Sequence, residues 1–444
     1  MQKALSDKLI EKKIKEAKKR DEIVKILKSC IYDRVDTPFN LDEIEQVSTE
    51  LFKELRVQSA REIIAEQDVK EWNCPNCGSI MTNKEKVPHI VKGLANYEFR
   101  IRYFHCESCG ANEKPAKKLM GCIDGFTTKA KESIVLLGQR IPFEEASLYL
   151  KNLIGMSVSA EYVRKLTENV GKKLYHQEEQ RVIQLVSKNS GKIQTSSDSN
   201  KMIDDTAYLE IDGCMVQTRE DGWKEAKNGI LFRASNKTKK DKHHNQIEEK
   251  RYFSKFSDCE AFKHRTTQAA YDFGFHDFKK QVVLADGAPW IWDYFTKNHP
   301  DAIQILDYYH ASEYLGEAVQ SMKIKEDSIK QAVIKRMFRK LRAGHIERIV
   351  NWLDKQEKTK EINDCCRYFW KNKDRMRYRA YRRQGFSIGS GAIESAHRII
   401  VQTRMKQSGM HWGKDNVQSI LSLRAAFLSG LWSSIICPII KDIA

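Results

Sequence analysis

Three carboxylates stand out by where they fall. Asp212 lies within the apolar, alternating run Ala207 to Val216, and Asp286 ends another, Gln281-Val282-Val283-Leu284-Ala285-Asp286-Gly287. Burying an unpaired charge is expensive, so an acid on a buried strand calls for a cation. Oxygen ligands suit Mg²⁺ or Mn²⁺, and two such ions clamp a phosphate for in-line attack. One activates the attacking oxygen and the other stabilises the leaving oxygen. Such a centre needs a third acid. Glu394, in Gly389-Ser390-Gly391-Ala392-Ile393-Glu394-Ser395-Ala396, stands near the start of a helix entered through small residues. Each acid alone has a plainer reading, as a turn Asp or a helix-start Glu. The three together are more informative than any one.

A second set is soft. Cys74-Pro75-Asn76-Cys77 and Cys106-Glu107-Ser108-Cys109 are each followed by Gly, at Gly78 and Gly110. Two such knuckles place the thiolates of Cys74, Cys77, Cys106 and Cys109 around one tetrahedral Zn²⁺. The 28 residues between the pairs exceed the usual spacing of about 15–20, which a longer hairpin arm absorbs. Tyr97 to Phe104 alternates like a strand of that arm. The pattern is a zinc ribbon, either a staple for a small core or a DNA contact. Hard carboxylates and soft thiolates should not exchange metals.

The elements that position these groups follow from periodicity. Residues 1–65 read as an N-terminal helical region, broken at Asp36-Thr37-Pro38, with Asn40 capping the second helix. The ribbon occupies 66–118. Residues 119–190 are helical. There Gly155 to Ser159 forms a turn, and Ser159 caps the helix bearing Arg164 and Lys165. This is a helix-turn-helix pattern or an ordinary helical hairpin. A Ser/Asn/Lys-rich linker runs from Lys188 to Asp204. Residues 200–310 read as three strands, a helix, a strand, a helix and a strand, an α/β core with a mixed sheet. Residues 311–383 are helical, with Val333, Ile334, Met337, Leu341, Ile346, Ile349, Val350 and Leu353 at core-like spacing. Residues 384–444 carry Glu394 and C-terminal helices, including a tail from Ile420 to Ile440 that Arg424 and several serines interrupt.

The chain has 444 residues with 77 Lys and Arg against 60 Asp and Glu, a net charge of +17. That balance favours a polyanionic partner, most commonly nucleic acid. The Lys/Glu-rich start lacks the apolar stretch of a signal peptide. No run approaches the roughly 20 apolar residues that span a bilayer. Paired CxxC units fit metal in a reducing cytosol better than disulfides. The run Arg375 to Arg383 interleaves cations with tyrosines, as phosphate contact with base stacking would; the alternative is a solvated basic helix. Arg377, Arg379 and Arg382 are its candidate DNA contacts. Arg398, Arg404 and Lys406 follow Glu394 where a DNA backbone would approach the metals. His397 is read as no ligand. Trp290 and Trp292 are read as core.

The ordered set of segments resembles the DDE transposases of bacterial insertion sequences, most closely the ISKra family. The matching stretches are Glu210-Ile211-Asp212-Gly213, Leu284 to Trp292, Ile305 to Ala311, Gly389 to Arg398, Arg404 to Met410 and Leu423-Arg424-Ala425-Ala426. The resemblance implies an RNase H-like fold with Asp212, Asp286 and Glu394 as the metal-binding triad. The 108 positions from Asp286 to Glu394 exceed a bare core of that kind, and the helical stretch resembles the all-α insertion of such transposases. The wider mutator-like group has Cys or Asp, two residues, then His after the fifth strand. Asp307 and His310 match it, and they could orient DNA, hold a water beside the metals or brace the fold.

The function expected is DNA transposition: metal-dependent 3′-end cleavage, then strand transfer by the freed 3′-OH. The cofactors would be two Mg²⁺ (or Mn²⁺) and one structural Zn²⁺. The partner would be double-stranded DNA at element ends and target. The protein would act as a homo-oligomer in the cytoplasm, at the bacterial nucleoid. Two rivals stand beside it, an RNase H-like nuclease without strand transfer and a non-catalytic zinc-ribbon DNA-binding protein.

Overall fold

The computed structural model describes residues 20–34, 40–66, 69–120, 125–188, 202–240 and 245–443. The break at Asp36-Thr37-Pro38 and most of the Lys188–Asp204 linker lie outside them. The fold is mixed α/β with a mixed sheet, and its contacts divide it into two units, residues 1–166 with 440–444, and residues 167–439.

The first unit opens with helices α1 (Arg20–Tyr32) and α2 (Leu41–Glu66). They pack through buried Cys30 and Leu51. Asn40 caps α2 by accepting from the Glu43 N–H at 2.7 Å, as its residue type favours. A three-stranded antiparallel sheet follows, β1 (Thr82–Lys92), β2 (Asn96–His105) and β3 (Asn112–Glu113), in the order β1-β2-β3. Periodicity marked β2. It missed β1, whose outer half, Thr-Asn-Lys-Glu-Lys, is exposed, with apolar alternation only from Val87 to Val91. Helices α3 (Pro115–Met120), α4 (Thr128–Gly138) and α5 (Phe143–Ile154) precede the 29-residue α6 (Ala160–Lys188). Gly155 ends α5 in the left-handed region at φ 73°, where glycine has no Cβ penalty. Ser159 accepts from the Tyr162 N–H at 3.1 Å.

The second unit centres on a five-stranded sheet, β4 (Ile203–Thr218), β5 (Gly222–Arg233), β8 (Lys250–Lys255), β9 (Phe278–Ala285) and β10 (Ile303–Leu306). A small hairpin, β6 (Lys237–Lys239) with β7 (Asn245–Ile247), interrupts it. The spatial order is β10-β9-β4-β5-β8. Strands β4, β5 and β8 pair antiparallel, whereas β9 and β10 join β4 in parallel. Parallel neighbours need crossovers. Helices α7 (Cys259–Phe273) and α8 (Pro289–Asn298) supply them. Core side chains of β4 and β9 include Leu209, Ile211, Val282, Val283 and Leu284, all fully or nearly fully buried.

After β10 come α9 (Tyr308–Gln320), α10 (Asp327–Arg342), α11 (Ile346–Leu353), α12 (Lys360–Asn372) and α13 (Tyr378–Arg383). Met337, Leu341, Ile346, Ile349, Val350 and Leu353 are buried, while Val333 and Ile334 are half-buried. Helix α14 (Gly391–His397) continues through a π turn, Arg398–Gln402, and a last α turn, Thr403–Met405. Helix α15 (Lys414–Leu428) is mostly buried and packs on β8. The apolar tail is therefore core. Its interrupting Arg424 is buried and donates to the carbonyls of Ile399 and Ile400, which the π turn shifts out of α register. No helix among the described residues is long and apolar enough to cross a membrane.

Candidate active site and metal centre

In the first unit the two CxxC turns fold alike. Gly78 and Gly110 sit at φ 76° and 72°. Each donates its N–H to the carbonyl of the first cysteine of its pair, Gly78 to Cys74 at 2.9 Å and Gly110 to Cys106 at 2.8 Å. Those cysteines donate in turn to the carbonyls of Ser79 and Ala111 at 2.8 Å. The positive φ closes each turn, and a residue with a Cβ would strain it. The β1–β2 hairpin spans the long gap between the pairs. Cys74 Sγ lies 3.5 Å from Cys109 Sγ, and Cys77 Sγ lies 3.5 Å from Cys106 Sγ. All four sulfurs fall within 4.8 Å of one another. Thiolates about 2.3 Å from a shared tetrahedral ion sit about 3.8 Å apart, so the quartet could hold a zinc ion. The Ser79 hydroxyl and backbone N–H bring the Cys77 thiol down to about 6, while hydrogen bonds with Cys74 and Cys106 push the Cys109 thiol up to about 12, so the sulfurs titrate as one hydrogen-bonded set.

In the second unit the register of the parallel strands sets the acids side by side. Ile211 pairs with Ala285, and Ala285 with Leu306. One residue further along each chain stand Asp212, Asp286 and Asp307. Three aspartates thus stand side by side at the carboxyl ends of β9 and β10, where ligands of open α/β sheets gather, with Asp212 at that level inside the longer β4.

They do different things. Asp307 is fully buried. Its carboxylate accepts from the His310 N–H at 3.0 Å, capping α9, and from the Ser390 N–H at 2.8 Å. Asp212 and Asp286 are half-buried. Burial pushes the Asp212 carboxyl up to about 6, with Asp286 and Asp307 adding to the rise and His310 opposing it. Burial likewise raises Asp286, with Glu225 and Asp307 adding to it and His310 again opposing. Both carry a charge the site does not fully compensate. Behind Asp286, the Tyr368 ring of α12 fills the space that a Cβ at Gly287 would need.

Glu394 is exposed on α14, and the Ser390 hydroxyl donates to it at 3.3 Å. The start of α14 is held from below. Glu210, only 1% exposed, accepts from the Ile393 N–H at 3.0 Å. Burial pushes its carboxyl up to about 8. Lys237 lies 4.2 Å over the Tyr208 ring and donates to Ser387 at 2.6 Å. Among the described residues only the cysteine quartet brings three or more ligating groups within 4.8 Å. The carboxylates of Asp212, Asp286 and Glu394 stand further apart than that.

Sequence reasoning set His397 aside, and the structure places it against Asp212. Its Nδ1 is 3.6 Å from Asp212 Oδ2. Burial lowers His397 to about 4, so the ring is neutral at pH 7. The α14 spacing from Glu394 was the available signal. Glu225 was missed altogether. Its carboxylate lies across Gly213, where a Cβ would overlap it, and its Oε2 pairs with Lys227 Nζ at 2.7 Å. No sequence pattern marks it, because its place comes from cross-strand neighbours.

The basic candidates divide. Arg377, Arg379, Arg382, Arg398 and Lys406 are exposed. Arg377 pairs with Asp374 at 3.0 Å. Lys406 Nζ lies 5.7 Å from the Trp223 ring and close to Cys214. Arg404 departs from expectation. It is 1% exposed and stacks 4.8 Å over Trp412, so it offers nothing to a phosphate. The π turn explains this, since it winds the chain about a quarter turn beyond α register. Tyr378 and Tyr381 are buried too, which removes the base-stacking half of the expectation for 375–383. Trp292 is core, and Trp290 packs edge-on to Phe262 at 6.0 Å. In the helix after Ser159, Glu161 takes both Arg164, at 2.7 Å, and Lys165, at 3.4 Å. No protein-family model matches the chain, and no curated protein matches it.

Proposed function

We propose that this protein is a DNA transposase of the DDE type, resembling the ISKra insertion-sequence enzymes, with Asp212, Asp286 and Glu394 as its catalytic acids. One observation carries the reading. Two half-buried aspartates stand one residue beyond a register pair of adjacent parallel strands, Asp212 within β4 and Asp286 just past the end of β9, and burial raises the proton affinity of both, beside a helix presenting an exposed glutamate. The sheet order supports an RNase H-like core, with three antiparallel strands followed by two parallel ones through helical crossovers. The α9–α13 stretch then stands as the all-α insertion.

The donor set fits a hard cation. Carboxylate oxygens are the donors presented, and burial raises the neighbouring Cys214 thiol, which disfavours the thiolate that a soft metal would take. Asp212, Asp286 and Glu394 would hold Mg²⁺ or Mn²⁺, which when bound activate an attacking oxygen and neutralise charge at a phosphate.

The chain's own residues do the rest. Asp307 and Glu210 fix the start of α14 and hence the position of Glu394. Neutral His397 steadies Asp212 without adding charge. Exposed Arg398 and Lys406 offer cations to the DNA backbone. Water would cut the 3′ end, and the freed 3′-OH would attack target DNA in the same centre, with no covalent protein–DNA intermediate. Pairing two ends calls for a homo-oligomer on double-stranded DNA, with the cysteine quartet holding a structural Zn²⁺. The test is to incubate the purified chain and Mg²⁺ with labelled duplex from the sequences flanking its gene. Nicked and joined products are expected. Nicking without joining would leave a nuclease, and binding without nicking a DNA-binding protein.

A further inference from the structure

Helix α10 carries six cations and one acid over sixteen residues. Its packed side carries Met337 and Leu341, buried against the neighbouring helices, with Val333 and Ile334 half-buried. Lys335, Arg339 and Arg342 form one row at helical spacing, flanked by Arg336, and all four are exposed. Among the described residues none of the four side chains has an ion-pair or hydrogen-bond partner. Carboxylates are not scarce nearby. Lys323 pairs with Glu357 at 2.6 Å, Lys358 with Asp354 at 2.8 Å and Lys373 with Glu347 at 3.6 Å. Like charges three and four apart destabilise a helix. The helix dipole favours Arg339 and Arg342 in the last turn. It gives no reason for Lys335 and Arg336.

The row continues beyond α10. Gly344 ends the helix in the left-handed region at φ 76°, and a Cβ there would meet the Met376 carbonyl at 3.4 Å. The end of α10 therefore abuts the segment that leads into α13, where Arg379 and Arg382 are exposed. We propose that the exposed face of α10, continued by Arg379 and Arg382, is a docking surface for the backbone phosphates of double-stranded DNA. The choice of DNA rests on the transposase reading. The choice of duplex rests on this face. Neither α10 nor α13 exposes an aromatic ring, and Tyr378 and Tyr381 are buried, so unpaired bases find nothing to stack on. A bilayer would need several apolar side chains to insert, and the one large apolar side chain that α10 exposes is Ile329, in its first turn.

The test measures binding of the full chain to a fluorescent DNA duplex across a salt series. The wild type is compared with the variant K335Q/R336Q/R339Q/R342Q. A control variant, K279Q/K297Q/K323Q/K358Q, loses the same charge at exposed sites elsewhere. Each lost phosphate contact lowers the slope of log affinity against log salt by about 0.9. The α10 variant should therefore lose about three to four from the slope and bind at least tenfold more weakly at moderate salt. The control should stay within about twofold of wild type, because exposed charges are screened beyond about 8 Å. Unchanged circular dichroism would show that the α10 variant is folded. An unchanged slope in that variant overturns the proposal. So does tighter wild-type binding to an RNA duplex, single-stranded DNA or anionic vesicles, or no duplex binding at all. Wild-type binding that depends on α10 without any cleavage would sink the transposase reading and leave this surface standing.

Discussion

Asp212 is held half-buried within the central strand β4 at a cost that its chemistry explains. Its carboxyl is pushed up to about 6 from an unfolded value near 3.8. The folded state therefore binds the proton more tightly than the unfolded chain does. Its destabilising effect is absent below about pH 4 and grows as pH rises through about 6. Asp212→Asn should raise the stability of the cation-free protein at pH 7 by about 2 kcal/mol, since a pKa unit corresponds to about 1.4 kcal/mol. Denaturant melts at pH 5 and 8 would check this, with the gain larger at pH 8. Cation affinity should rise through the same window, because each carboxylate must lose its proton to bind. Glu210 behaves differently, being a structural acceptor. Glu210→Ala would orphan the Ile393 N–H and leave a cavity, costing about 2–4 kcal/mol. Glu210→Gln keeps an acceptor and should cost much less.

At the scale of elements, the acids and their strands were readable because burial and charge conflict openly in sequence. Leu209-Glu210-Ile211-Asp212 sets acids between buried apolar residues, and Val282 to Ala285 is an apolar run that meets Asp286, which is rare without a reason. The cysteine turns were readable for a similar cause, as thiols paired with two residues between them and followed by Gly have few other uses. What stayed hidden depends on backbone geometry. The π turn at Arg398–Gln402 leaves no composition signal, yet it turns Arg404 inward and gives Arg424 its carbonyl partners. The outer half of β1 looks like a loop because its side chains face solvent and only its hydrogen bonds to β2 make it a strand. Two predictions belong here. Arg404→Ala should destabilise by about 2–3 kcal/mol through lost packing over Trp412, without changing the salt slope of DNA binding. Cys106→Ser should abolish binding of one Zn²⁺ per chain, measured by metal analysis, and increase proteolysis within 72–113.

For the whole molecule, a charge of +17 favours a polyanionic partner without saying where one would bind. Salt bridges spend some of that charge internally, as with Arg164, Lys165 and Lys373, and burial removes Arg404 and Arg424 from the surface. The exposed, unpaired remainder on α10 and α13 lies in the same unit as the acids. That is the arrangement expected when cations hold a duplex while its phosphate is worked on at a carboxylate centre. The central claim is that Asp212, Asp286 and Glu394 form that centre. The direct measurement is Mg²⁺-dependent strand cleavage of labelled duplex DNA by the wild type and by D212N, D286N and E394Q, with DNA binding followed in parallel. The account predicts cleavage by the wild type alone and DNA binding by all four proteins. Undiminished cleavage by any one of the three variants would contradict it.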